Sequence, residues 1–206
     1  AGFDAGSDSP GIRGVNAEFE LNQSGGKASV QVVDGAVDLP GVFDDPLVAV
    51  NRLSGEVKWQ VKGEHIALQL PNLKFSNADA QGEAQIKWET SDPAQSEGRS
   101  RFPGELDLQA VLSRTDGTRV YRYLPTVLSQ SVRDYVRDAF PVGKASGVKF
   151  RVRGDLYDMP FKDPKKGEFR ISADIHNATF LYVPSRIQSP GEQPWPALTQ
   201  LNGELV

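Results

Sequence analysis

Few residues of this 206-residue chain have types and spacings that could carry chemistry. His65 and His176 are the two histidines, and more than a hundred positions separate them. Asp174 lies two residues before His176, so in a strand both side chains would point to the same face. One histidine beside one carboxylate is a weak signal for a metal site or a general base, because a structural metal usually takes four ligands. We expect both histidines to be ordinary surface residues.

The carboxylates and hydroxyls do not form a reactive constellation either. Asp44-Asp45 and Asp155 with Asp158 are close carboxylate pairs, but both pairs occur in turn-like sequence, where Asp commonly caps loops. No serine occupies a Gly-x-Ser-x-Gly turn, and no phosphate-binding glycine motif is present. The sequence therefore predicts a protein that is not an enzyme, with no catalytic residue, no metal site and no cofactor.

Composition narrows the class of partner. The chain has 23 Lys and Arg against 27 Asp and Glu, a net charge of −4, and no long basic stripe. Nucleic acid is a poor partner for such a surface, because phosphate binding needs clustered cations. Cysteine is absent, which leaves the redox compartment open.

Length and chain ends bear on domain organisation. The length suits one all-β unit, and no apolar run approaches the roughly 18–20 residues of a membrane span. The first ten residues contain no secretory signal, and the chain stops inside the strand-like run 201–206. We expect residues 1–206 to be a single segment excised from a longer chain.

Alternation of apolar and polar residues at a period of two is the dominant pattern. In the run from Glu56 to Val61, for example, Val57 and Trp59 face one way while Lys58 and Gln60 face the other. Many such runs joined by turns predict an antiparallel sheet with one continuous apolar face. The residues that alternation assigns to it, hereafter the apolar set, are Phe19, Val30, Val32, Val57, Trp59, Ile66, Leu68, Leu70, Ile86, Trp88, Leu106, Leu108, Phe150, Val152, Phe169 and Ile171.

Two segments depart from the alternation. Residues 1–11 and 90–102 are rich in Gly, Ser, Asp and Pro and are predicted to be flexible loops. Residues 126–140 show helical spacing of apolar residues, which predicts one short amphipathic helix. That helix could cover an open end of the sheet or contact a membrane surface. Its balance of Arg and Asp favours the cover, because interfacial helices are usually rich in Lys and Arg.

The alternation alone leaves the function of the apolar face open. In a β-sandwich, two such faces would pack on each other and form a structural or interaction module. In an open groove, the same face would bind an apolar ligand. A glycan-binding or glycan-active domain is a third class, but sugar sites need polar partners beside the aromatic residues.

An ordered series of short motifs resembles one known family along nearly the whole chain. In the first half the motifs are Val37-Asp-Leu-Pro40, Val42-Phe43, Pro46-Leu47, Leu53-Ser-Gly55, Trp59, and Leu73 through Asn77-Ala-Asp-Ala80. In the second half they are Arg122-Tyr-Leu-Pro125, Arg137-Asp-Ala-Phe140, Gly143, Val152-Arg-Gly-Asp-Leu156, Met159-Pro-Phe161, Gly167-Glu-Phe169, Ala178-Thr-Phe-Leu-Tyr182, Trp195-Pro-Ala-Leu198 and Leu201. This series resembles the central region of the YhdP-type AsmA-like proteins of Gram-negative bacteria. The sequence departs from the family pattern at Tyr135-Val136, at Met159 and in an extra loop over 184–194.

The resemblance implies a fold and a function. Such proteins are anchored in the inner membrane, cross the periplasm, and carry phospholipid toward the outer membrane along a curled, half-open β-groove. It implies an all-β, mainly antiparallel sheet that is strongly twisted and curled, with the apolar set lining a lipid path. The implied partners are phospholipid acyl chains, flanking segments of the same longer chain, and membranes reached through regions outside this segment.

Overall fold

The computed structural model describes residues 10–206, and its sheet contains nine antiparallel strands in sequence order. The strands are β1 (Gly11–Asn22), β2 (Gly25–Asp38), β3 (Leu47–Lys62), β4 (His65–Ser76), β5 (Ala80–Glu89), β6 (Glu105–Asp116), β7 (Val142–Asp155), β8 (Gly167–Phe180) and β9 (Leu198–Leu205). The predicted mainly antiparallel β class is confirmed. Of the predicted N-terminal loop 1–11, residues 1–9 lie outside the described residues, and β1 already begins at Gly11.

The strands are long because they continue through bulges. Every strand pair except β2–β3 and β6–β7 shows a register irregularity. Gly14, with φ of 73°, lies at the irregularity in β1, and Gly147, with φ of 58°, lies at the one in β7. Pro71 sits at the irregularity between Leu70 and Leu73 in β4, since proline cannot donate to the ladder. A bulge absorbs one extra residue and lets the strand continue beyond it.

One α-helix is present in the described residues, α1 (Gln130–Ala139), along with 3-10 helices at Gly117–Tyr123, Leu156–Asp158 and Ser185–Ile187. The helix predicted over 126–140 is confirmed, although it begins four residues later. A turn in which the Leu128 backbone N–H donates to the Pro125 carbonyl precedes it. No helix in residues 10–206 is long and apolar enough to cross a bilayer. Residues 90–102 form no strand or helix, and their mobility stays a prediction.

The sheet is open and is not strongly curled, so the predicted strongly curled groove is wrong. Each strand pairs only with its sequence neighbours, and β1 and β9 form the two edges among the described residues. The accessible surface of 13101 Å² is well above the about 9,500 Å² expected for a compact monomer of this mass. Residues 10–206 contain no second sheet, which also contradicts the sandwich alternative within this part of the chain.

The best-buried cluster lies on the apolar face, toward the end of the strands where α1 is found. It contains Ala80, Leu112, Val148 and Ala173. Phe75, Ala145, Phe150 and Ile171 pack around it and stay partly exposed. The hydrophobic core of the described residues is therefore a local cluster on one face of a single sheet.

Candidate functional site

The strand register aligns apolar residues into rows that run across the sheet. Directly opposite residues on neighbouring antiparallel strands share a face, so each row lies on one side. One row is Trp59, Leu68, Trp88 and Leu106; the next is Leu70, Ile86, Leu108, Val152 and Phe169; a third is Leu73, Ala84, Ala110, Phe150 and Ile171. These rows form a continuous hydrocarbon surface from β3 to β8.

The remaining members of the apolar set belong to the same face. Phe19 and Val57 both lie opposite Ala28 of β2, and Val32 lies opposite Leu53 of β3. Val30 lies opposite Gly55, and Ile66 lies opposite Val61. The structure thus brings all sixteen residues of the apolar set together on one face. It adds residues that the set omitted, namely Ala28, Leu53, Leu73, Phe75, Ala84, Ala110, Leu112, Val148 and Ala173.

Several residues of the apolar face are more than a third exposed, because no second layer of residues 10–206 covers them. Phe19 is 64% exposed, Leu21 is 71% exposed and Phe169 is 39% exposed. Trp59, Leu68 and other central members are half-buried by their neighbours. Exposed aromatic and aliphatic side chains in continuous rows are typical of a surface that binds an apolar partner.

The helical segment, which we define as residues 117–141, packs at one end of the strands. Phe140, directly after α1, stacks on Phe180 of β8 with ring centroids 5.1 Å apart. Ala139 is fully buried, and its carbonyl accepts a hydrogen bond from the Leu181 backbone N–H at 2.8 Å. The 3-10 helix Gly117–Tyr123 lies against β7 and β6. Through these contacts the helical segment borders the apolar face at β6, β7 and β8.

Arg133 ties the helical segment to the β2–β3 loop, 39–46. It is only 8% exposed, and its guanidinium donates two hydrogen bonds to the Asp44 carboxylate, at 2.8 and 3.0 Å. The same guanidinium donates to the backbone carbonyls of Thr126 and Leu128. The Thr126 N–H donates in turn to the Val42 carbonyl at 2.9 Å.

A second polar cluster holds the beginning of the helical segment. Arg122 bridges the carboxylates of Asp45 and Asp79 at 3.0 and 2.9 Å, and both contacts raise its pKa. The Tyr123 hydroxyl donates to Asp79 at 2.9 Å and accepts from the Asn77 amide at 2.9 Å. Burial raises the pKa of Tyr123. The paired carboxylates Asp44 and Asp45 therefore have a structural role: Asp44 binds Arg133, and Asp45 binds Arg122.

The far-end loops, which we define as 90–104 and 156–166, border the opposite end of the apolar face. Phe102 stacks on Trp88 with ring centroids 6.1 Å apart, and the Trp88 indole N–H donates to the Pro103 carbonyl at 2.9 Å. Phe161 is buried against Gly154 and Gly167. A Cβ placed on Gly154 would lie 2.9 Å from the Phe161 ring, so the absence of a side chain makes room for this ring.

The remaining candidate groups have local partners. His65 lies 3.5 Å from the Glu89 carboxylate, and His176 lies 2.7 Å from the Ser146 hydroxyl, not paired with Asp174. The Asp155 carboxylate accepts from the Tyr157 N–H at 2.9 Å. Burial opposes ionisation of Asp155, but its hydrogen bonds outweigh burial and lower its pKa. Within residues 10–206 no group of three or more potential metal ligands is found.

Comparison with known families decides the identity of the chain. A family model described as YhdP protein matches residues 2–206. The chain belongs to the YhdP family. No curated protein and no solved structure matches it. In this YhdP-family chain, the motifs at 122–125 and 137–140 form part of the helical segment, and the motif at 159–161 supplies Phe161 to the far-end loops.

Proposed function

We propose that this chain is a periplasmic segment of a longer protein that carries phospholipids between the inner and outer membranes along its apolar face. The observation that supports the proposal most directly is the set of apolar rows, of which one crosses β3–β6 and two cross β4–β8. The chain acts as a surface for transfer and performs no catalysis.

The direction of the rows suits movement of lipid across the strands. Nine strands at a spacing of about 4.8 Å make a surface about 38 Å wide from β1 to β9. An acyl chain lying along a row would contact hydrocarbon at each strand that it passes. Such contact stabilises the bound chain by about 0.8 kcal/mol per buried CH₂, while the polar head group stays in water.

A sugar ligand fits this face less well. Glycan binding needs hydrogen-bonding groups next to the aromatic rings, and the neighbours of Trp59 and Trp88 in their row are leucines. The indole N–H of Trp88 already donates to the Pro103 carbonyl. The arrangement therefore favours an acyl chain over a glycan.

The wider setting of the proposal follows from the resemblance of the motifs. We place the full-length protein in the inner membrane of a Gram-negative bacterium, with this segment in the periplasm. Flanking segments of the same chain would extend the apolar face beyond β1 and β9, whose outer edges are unpaired among the described residues. Contact with either membrane would come from regions outside this segment.

Site-specific photo-crosslinking in the full-length protein tests the proposal. A photoreactive residue is placed in turn at each position from Leu106 to Ala110 on β6, and crosslinked phospholipid is measured by mass spectrometry. We expect strong labelling at Leu106, Leu108 and Ala110 and weak labelling at Asp107 and Gln109. Equal labelling at all five positions, or none at any, would contradict the proposal.

A further inference from the structure

The connections between strands differ in length across the sheet, and this difference bears on the proposed lipid path. At the far end, β1–β2 and β3–β4 are joined by two-residue turns, 23–24 and 63–64. The connections from β5 to β6 and from β7 to β8 are the far-end loops, 90–104 and 156–166. At the far end, long loops therefore border the apolar face only over β5–β8.

Both borders reach onto the apolar face in that half of the sheet. The far-end loops place Phe102 on Trp88 and Phe161 over Gly154. The opposite border is the helical segment, whose Phe140 stacks on Phe180. Toward β1, by contrast, Phe19 and Leu21 of the apolar face are more than 60% exposed.

We propose that the sides of the lipid path are these two inserted segments and not curled sheet, and that they narrow the path over β5–β8. This inference rests on the proposed function. On β6 the rows of Leu108 and Ala110 lie between the border at Leu106 and the buried cluster at Leu112. Leu112 lies six residue steps beyond Leu106 on the extended strand, about 20 Å away at about 3.4 Å per step. The narrow part is therefore a floor of two rows, with Phe102 and Phe161 at one edge and the buried cluster at the other.

Ala110 is the position at which a larger side chain would obstruct this floor. Ala110 lies in its row between Ala84 and Phe150. Its side chain is a single methyl group, so it projects little from the sheet and leaves space for an acyl chain above it. In an unbordered sheet, lipid would pass around a single bulky residue. Between two borders, the same residue would block passage.

The test uses the full-length protein with the substitution Ala110→Trp and photoreactive residues at Val57 on one side and Ile171 on the other. We expect crosslinked phospholipid to fall severalfold at one of these positions and to persist at the other. The matched control is Gln109→Trp, one residue away on the polar face, which should leave labelling at both positions unchanged. Because Ala110→Trp is a large change, Ala110→Leu is tested beside it and should give a smaller decrease at the same position.

A second measurement removes one border. Phe102→Ala combined with Ala110→Trp should restore labelling, because lipid can then move past the obstruction on the far side. Labelling at both positions in Ala110→Trp and Ala110→Leu at the level of the unsubstituted protein would overturn the inference, as would a block that Phe102→Ala does not relieve. Absence of label at both positions in the unsubstituted protein would instead contradict the proposed function itself.

Discussion

Leu108 lies near the centre of the apolar face, opposite Ile86 on one neighbouring strand and Val152 on the other. We expect Leu108→Glu to reduce phospholipid crosslinking at Ile86 severalfold in the full-length protein. A carboxylate at this position must either lose its water or draw water onto the hydrocarbon surface, and both are unfavourable for an acyl chain.

The matched control for this change is Gln109→Glu. Gln109 lies on the polar face, opposite Gln85 and Arg151, where a carboxylate is solvated and close to a cation. In Gln109→Glu, phospholipid crosslinking at Ile86 should equal that of the unsubstituted protein. The pair Leu68→Glu and Gln69→Glu on β4 repeats the comparison. An equal loss of lipid from both faces would contradict the assignment of the path to the apolar face.

Arg133 is the residue whose loss should most disturb the helical segment. In Arg133→Met the carbonyls of Thr126 and Leu128 lose a buried donor, while the Asp44 carboxylate, whose side chain is 53% exposed, regains water. Since only part of the network is left unsatisfied, we expect the free energy of unfolding to fall by about 1–3 kcal/mol. Urea unfolding followed by circular dichroism measures it. Arg119→Met, an exposed position in the same segment, should change it by less than about 0.5 kcal/mol.

At the scale of elements, the helical segment connects parts of the sheet that are far apart in sequence. Arg133 fastens α1 to the β2–β3 loop, whereas Arg186 in the β8–β9 connection contacts Asp134 and Asp138 of α1 at 2.7 and 2.8 Å. The two loops follow β2 and β8, so neighbouring residues of α1 connect loops that lie six strands apart in the strand order. The position of α1 therefore depends on charged contacts with both of these loops.

The Asp134 carboxylate should report on the second of these contacts. The Arg186 guanidinium is the largest cause of the lowered pKa of Asp134, and Gln130 lowers it further. A lowered pKa in the folded protein means that the contact contributes at pH values above the ordinary range of Asp and is lost as pH falls through the folded value. Arg186→Gln should therefore raise the pKa of Asp134 in an NMR titration of its carboxyl carbon.

The control for this titration is Arg151→Gln. The Arg151 guanidinium hydrogen-bonds to Asp107 on the polar face and lowers the pKa of that carboxyl. The substitution should raise the pKa of Asp107 and leave that of Asp134 unchanged. If Asp134 titrates identically with and without Arg186, the contact between α1 and the β8–β9 connection does not form in solution.

At the scale of the whole molecule, the single layer predicts an extended particle. A compact domain of 206 residues has a radius of gyration of about 17 Å. The open sheet, with its large accessible surface, should give a value clearly above that in small-angle X-ray scattering of dilute protein. A value near 17 Å for the monomer would indicate that the sheet closes on itself, and would contradict the open architecture.

The sequence by itself determined which side chains share a face. Successive residues of a strand point to opposite sides, so alternation is a local property that no distant contact has to supply. Phe19, Trp88 and Phe169 could therefore be assigned to one face before any strand was placed beside another, and the register confirms that assignment. The helix near 130–139 was predictable for the same reason, because its spacing is also local.

Only the tertiary structure decided the curvature of the sheet and the borders of its apolar face. Alternation is the same in a curled and an open sheet, so it carried no information about closure, and the strong curl inferred from resemblance was wrong. Phe102 falls in a segment assigned only as a loop, yet it stacks on Trp88. Arg133 and Asp44 pair across 89 residues. Such contacts depend on where the whole sheet brings distant segments together, and no local pattern encodes that.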